Sequence, residues 1–325
     1  MATYKEIFGT NIEVVSSDPS NPVEGQVWYN TTSNTVKGFL ISSGSWATGG
    51  AMNTGRAELA GAGTQTAALG FGGREGAPAY GYSVLTESYN GTSWTEVNDL
   101  NTGRAELGGA GTNTSALAFG GETPTVTANT EQWNGTNWTE VNNLNTGRSI
   151  LAGSGASNTS ALAFGGYNNP VGTYALTELW NGTNWAEVND MNTPRGGLAG
   201  CGTQTAALAF GSTQPVTYHY AETWNGTNWT IVNDTNSDMG FRGGAGTNTS
   251  ALAFGGQPYS TAATESWNGT NWTELADLST ARYGPGGAGA SNSSALAFGG
   301  NIGGPPTTAT EEWNAGPAIV SFDVS

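Results

Sequence analysis

Six near-copies of one segment of about 45 residues fill most of this chain, and a repeat of that length sets the architecture before any single residue is interpreted. In each copy a run of Ala and Leu ends in Phe and glycine, at Phe71, Phe119, Phe164, Phe210, Phe254 and Phe298. Two glycines follow each Phe, except in the fourth copy, where Ser212 replaces the second. The next aromatic residue is Tyr89, Trp133, Trp180, Trp224, Trp267 or Trp313. A second tryptophan lies five residues further on in five copies, at Trp94, Trp138, Trp185, Trp229 and Trp272. Arg104, Arg148, Arg195 and Arg282 lie ten residues beyond Trp94, Trp138, Trp185 and Trp272. Trp46 and Arg56 keep the same spacing, so Trp46 reads as a displaced last piece of a repeat.

No segment has the pattern of a useful amphipathic helix. Each copy instead reads as four short strands, which in the first are 59–63, 67–71, 86–89 and 93–97. Asn-Gly-Thr separates the last two strands, a hairpin signal because Asn and Gly tolerate positive φ. Four antiparallel strands per copy, six times over, predict an all-β, six-bladed β-propeller. The sixth copy lacks its final Trp, and the strand around Trp46 is expected to supply the missing outer strand, so that no sheet edge is left open. The tail 318–324 is the alternative closing strand. Residues 37–325 are thus expected to form the propeller, and residues 1–36 a separate arm with a short β-hairpin.

The 51 glycines recur in register with Ala, Leu, Phe and Trp, so they mark turns and close backbone contacts rather than low complexity. The twelve tryptophans suffice for a large rigid buried layer. The net charge is −16, and five of the nine basic residues are Arg in one repeat slot. Almost no free basic surface remains, which argues against nucleic acid and anionic membranes as partners. Cys201 is the sole cysteine, so no intrachain disulfide exists, and it reads as a small buried residue. No apolar stretch near the start resembles a secretory signal, and none approaches a membrane span, so synthesis and assembly in a cytoplasm are expected.

The strand ending in Gly-Gly, the two aromatics and the upstream Arg resemble Kelch repeats over residues 45–313. Gly25-Gln26-Val27-Trp28-Tyr29-Asn30 and the residues around it look like a β-hairpin segment found near the start of tailed-phage fibre and appendage proteins. The whole chain is similar to Kelch-like structural proteins of marine tailed phages, of the cyanophage and pelagiphage type. The resemblance implies a non-enzymatic virion component with no cofactor, docked on other virion proteins through Trp28, Tyr29 and Asn30. Tail, fibre, neck and capsid decoration are all open as its place.

The in-register Arg56, Arg104, Arg148, Arg195 and Arg282 have matching acids at Glu87, Glu131, Glu178, Glu222, Glu265 and Glu311. One of each per blade predicts a repeated ion pair near the inner strands. The fifth copy departs, with Met239 in the Arg slot and Arg242 three residues late. A ring of arginines binding an anion in the central channel is the other reading, disfavoured because each has a Glu available. The paired tryptophans could stack sugars, but their strict recurrence favours packing between blades. With a single His, His219, the chain has no His-rich metal site, and no Ser motif nearby supports a triad. It also lacks the several His of the Kelch-type copper oxidases.

The loops between the second and third strands differ in every copy and emerge together on one face. They carry Tyr80, Tyr82, Tyr167, Tyr174, Tyr218, His219, Tyr220 and Tyr259, which are the candidate binding residues. Neutral drift of surface loops explains the same variation. The expected role is contact with a host-surface glycan or another protein. A Kelch-type lectin outside any virion and a glycan-active hydrolase using a carboxylate pair are the rivals.

Overall fold

The computed structural model describes residues 12–20, 26–41, 44–76, 81–216, 218–315 and 317–322, and none of these is helical. The chain divides into two units, one of residues 45–314 and one of residues 1–44 with 315–325.

The large unit contains six four-stranded antiparallel sheets. The second is typical: Gly108–Thr112, Ser115–Phe119, Thr130–Trp133 and Trp138–Val141 pair in sequence order, with Trp133 opposite Trp138. The innermost strands form a closed ring, in which Gly286–Ser291 of the sixth sheet neighbours Ala60–Thr64 of the first. These strands alternate small residues because they approach one another very closely. A Cβ on Gly61 would lie 2.3 Å from the carbonyl oxygen of Gly287. The large unit is therefore a β-propeller of six blades.

The blades are held together by one contact made six times. The outer-strand tryptophan of each blade packs on the Phe of the blade before it. The pairs are Trp138 on Phe71, Trp185 on Phe119, Trp229 on Phe164, Trp272 on Phe210, Trp46 on Phe254 and Trp94 on Phe298, at 4.8–5.1 Å between ring centroids. In five of the six, the indole Nε1 also donates to a threonine Oγ1 at the start of the third strand of that preceding blade. Burial of the aromatic surface supplies the cohesion, and the hydrogen bond fixes the ring's orientation.

Ser45–Thr48 pairs with Thr310–Asn314 and completes the sixth blade. In the fourth blade, Ser212 in place of glycine lets the second strand run on from Ala206 to Ser212, where Ser212 pairs with Tyr218 across a bulge. Cys201 lies in that blade's inner strand, and burial pushes its thiol up to about 12, so no reactive thiolate forms at neutral pH.

The small unit holds β1 (Glu13–Val15), β2 (Val27–Asn30) and β3 (Thr35–Ile41), joined by the strand Pro317–Phe322 from the other end of the chain. β1 runs parallel to β2, and the other pairings are antiparallel. The boundary therefore differs from the expected one at residue 37. Residues 37–41 and Pro317–Phe322 belong to the small unit, because Ser45–Thr48 already fills the sixth blade's edge and β3 offers the tail a free one.

Candidate ligand-binding face

Each blade contains one buried Arg–Glu pair. The nitrogen–oxygen distances are 3.0 Å for Arg56–Glu87, 2.9 Å for Arg104–Glu131, 2.5 Å for Arg148–Glu178, 3.2 Å for Arg195–Glu222, 2.7 Å for Arg242–Glu265 and 2.5 Å for Arg282–Glu311. The fifth blade is thus served by Arg242, which reaches the same place from three residues later than Met239. The second oxygen of each Glu accepts a backbone N–H from the segment leading to the Arg, as at Asn101, Asn145 and Ser279. Burial lowers the pKa of Arg56, Arg104, Arg242 and Arg282, and the partner carboxylate opposes that shift. Arg195 is brought down to about 10 by the same cause, and its guanidinium lies near Glu222 without hydrogen-bonding alignment. These groups are inaccessible to a ligand and fasten the interblade segments to their sheets.

Two residues beyond the Arg slot, each blade contributes one residue to a collar around the mouth of the central channel. The six are Glu58, Glu106, Ile150, Gly197, Phe241 and Gly284, which line one shallow hollow. All six have left-handed backbone conformations, with φ between 46° and 69°. The N–H of each donates to the carbonyl oxygen of its neighbour, at 2.7–2.9 Å, and Glu58 closes the circle by donating to Gly284. Gly suits such a conformation; Ile150 and Phe241 hold it because two collar hydrogen bonds tie each of them.

The collar side chains meet the variable loops. Arg74 donates from Nε to Glu58 at 2.6 Å, and from one Nη to Glu106 and Glu122 at 3.3 Å. Its guanidinium stands 4.8 Å over the Tyr82 ring, whose hydroxyl donates to Glu122. Burial, reinforced by Glu58, raises the Glu106 carboxyl to about 7. Beside this cluster opens a cavity of about 590 Å³, whose lining includes Glu106, Glu122, Ile150, Tyr167, Gln214 and Phe241.

The structure gathers few of the candidate tyrosines there. Tyr167 lines the cavity. Tyr82 is engaged with Arg74 and Glu122, Tyr174 is half-buried, and Tyr259 is 85% exposed, apart from the cavity. Tyr80 and the Tyr218 side chain fall outside the described residues. His219 sits between Asp238 and Asp234 with its ring edge-on to Tyr220. Among the described residues, no group of His, Cys, Asp and Glu is arranged to hold a metal.

The expected docking residues lie in the small unit. Trp28 and Asn30 are buried there and donate to one oxygen of Asp18 at 3.0 and 2.7 Å, and Lys37 pairs with its other oxygen at 2.8 Å. The Lys37 hydrogen bond, with those from Asn30 and Trp28, lowers the Asp18 carboxyl to about 2. Trp28 and Asn30 are therefore spent on the unit's own cohesion, whereas Tyr29 is half-exposed and its hydroxyl donates to Asn34 at 3.4 Å.

Sequence reasoning missed Glu58, Glu106, Ile150 and Phe241. Their signal was present, since the position two beyond the Arg slot changes from copy to copy within an otherwise strict motif.

No family model matches the chain, and no curated protein matches it. Among solved structures, that of YjhT is similar, with a TM-score of 0.66 and 13% identity over 83% of this chain and 99% of YjhT. At that identity the likeness shows the fold alone, a β-propeller.

Proposed function

We propose that this chain is a non-enzymatic structural protein of a phage particle, a Kelch-type propeller whose small unit docks on other virion proteins and whose variable face contacts a host-surface glycan or a further virion protein. The observation that carries the reading is the asymmetry of a sixfold repeat. One face bears near-identical turns at Asn134, Asn181, Asn225 and Asn268, each Asn Oδ1 accepting two backbone N–H groups of its own turn. The opposite face bears loops of unrelated sequence and the 590 Å³ cavity. The resemblance of the repeats and of the start of the chain to marine-phage structural proteins supplies the setting. Electron cryomicroscopy of purified particles tests it: six-bladed discs on tail, neck or capsid are expected, and particles lacking the protein would overturn it.

One observation favours the hydrolase as a second reading. Glu106, which titrates near neutrality, lies at the cavity with a second carboxylate, Glu122, beside it. Glu122 accepts from Tyr82 and Arg74, which leaves it poorly placed as a nucleophile or base. Turnover of aryl glycosides that disappears in Glu106→Gln would establish the hydrolase, and its absence leaves the binding role.

A further inference from the structure

We infer that the cavity beside the collar binds an uncharged saccharide. This rests on the reading of the variable face as a contact surface, and not on membership of a particle. Its volume of about 590 Å³ falls within the roughly 300–1,000 Å³ usual for small-molecule sites.

The choice of ligand follows from which polar groups remain unspent. The two carboxylates at the cavity are committed. Glu122 accepts from Tyr82 and Arg74, and Glu106 accepts from Arg74 and interacts with Ser149. The backbone of the lining loops is committed as well, since Ser149 bridges Tyr167, Ala105 bridges Glu122 and Gly196 bridges Gln214. An extended peptide would need unpaired main-chain groups along a strand edge, and these bridges consume them.

What is left is neutral. The side-chain amides of Asn169 and Gln214 have no hydrogen-bond partner among the described residues, and both residues are exposed. Asn168 donates to the Gly147 carbonyl at 3.0 Å, which leaves its Oδ1 as an acceptor. Amides that both donate and accept match the hydroxyls of a sugar. Phe241, Ile150 and Tyr167 supply an apolar surface on which C–H faces of a pyranose can rest. Among the described residues no Lys, Arg or His lines the cavity, while Glu58, Glu106 and Glu122 share the cation of Arg74, so the site's field repels an acidic sugar.

The test is titration calorimetry of the full chain against maltose, cellobiose, lactose and diacetylchitobiose, alongside sialyllactose, a cellobiouronate and glucosamine oligomers. At least one neutral sugar is expected to saturate a single site. Asn169→Ala and Gln214→Ala each change an exposed loop residue, and should weaken that binding by about tenfold with an unchanged circular dichroism spectrum. Failure of all the neutral sugars to saturate, equal or stronger binding of an acidic or amine-bearing sugar, or binding indifferent to both variants would each overturn the inference. Mass spectrometry of purified particles separately decides the virion reading, so the two can fail independently.

Discussion

Trp272 Nε1 is buried without an acceptor because Ala221 stands where the other five blades place a threonine. Ala221 pairs with Phe210, the ring against which Trp272 packs, so the geometry of the contact survives while its hydrogen bond does not. Ala221→Thr should therefore raise stability by about 1 kcal/mol. The converse change, Thr86→Ala, orphans Trp138 and should cost about 1–3 kcal/mol. Urea midpoints with unchanged slopes would report both, and a destabilised Ala221→Thr would show that the orphan reflects crowding rather than a missing partner.

The blade ion pairs should behave as buried charges. Arg104→Met leaves Glu131 uncompensated beneath the sheet and is expected to lose about 3–5 kcal/mol. Adding Glu131→Gln to that variant should restore part of the loss, since the amide still accepts from Asn101. Equilibrium unfolding of the single and double variants checks this, and a single variant as stable as the parent would refute the structural role.

Glu106 makes stability depend on pH in a stated direction. Its carboxyl binds a proton more tightly folded, near 7, than at its ordinary value of 4.5. The stabilisation is fully present below the ordinary value and is lost as pH rises through about 7, up to about 3 kcal/mol across that window. Glu106→Gln should remove that part of the slope. Melting temperatures of both proteins between pH 4.5 and 8 would reveal it as a difference that grows with pH.

A fragment of residues 45–314 contains all six blades and their closing strand. It should unfold cooperatively. A fragment starting at residue 50 loses Trp46 from Phe254 and Thr264, exposes the edge of Thr310–Asn314, and should melt earlier and self-associate. Sedimentation and thermal denaturation of the two fragments separate these outcomes.

The propeller was legible because its determinants repeat. Phe119, Trp133, Trp138 and Arg148 each do in their own blade what their counterparts do elsewhere, so the sequence period carries the packing. Arg242 was harder to place, because the reach of a long side chain is not written in register. The cavity was hidden for a different reason. Which loop residue faces the axis depends on bridges such as Ser149 to Tyr167, and on the handedness of the backbone at Ile150 and Phe241, rather than on composition. A count of tyrosines therefore found Tyr167 but also Tyr259, which faces water. The small unit's membership was partly concealed because the strand Pro317–Phe322 and β3 are far apart in sequence.

Closure of the ring by Ser45–Thr48 has a consequence for biosynthesis. Trp46 leaves the ribosome before any blade, yet its acceptor Thr264 follows 218 residues later. The strand must wait, unpaired, through the making of five complete sheets. Until the last repeat emerges, the nascent chain is an open arc with an unpaired strand bearing Trp46 at one end and a vacant berth at the other, and two such arcs on one polysome could each take the other's strand.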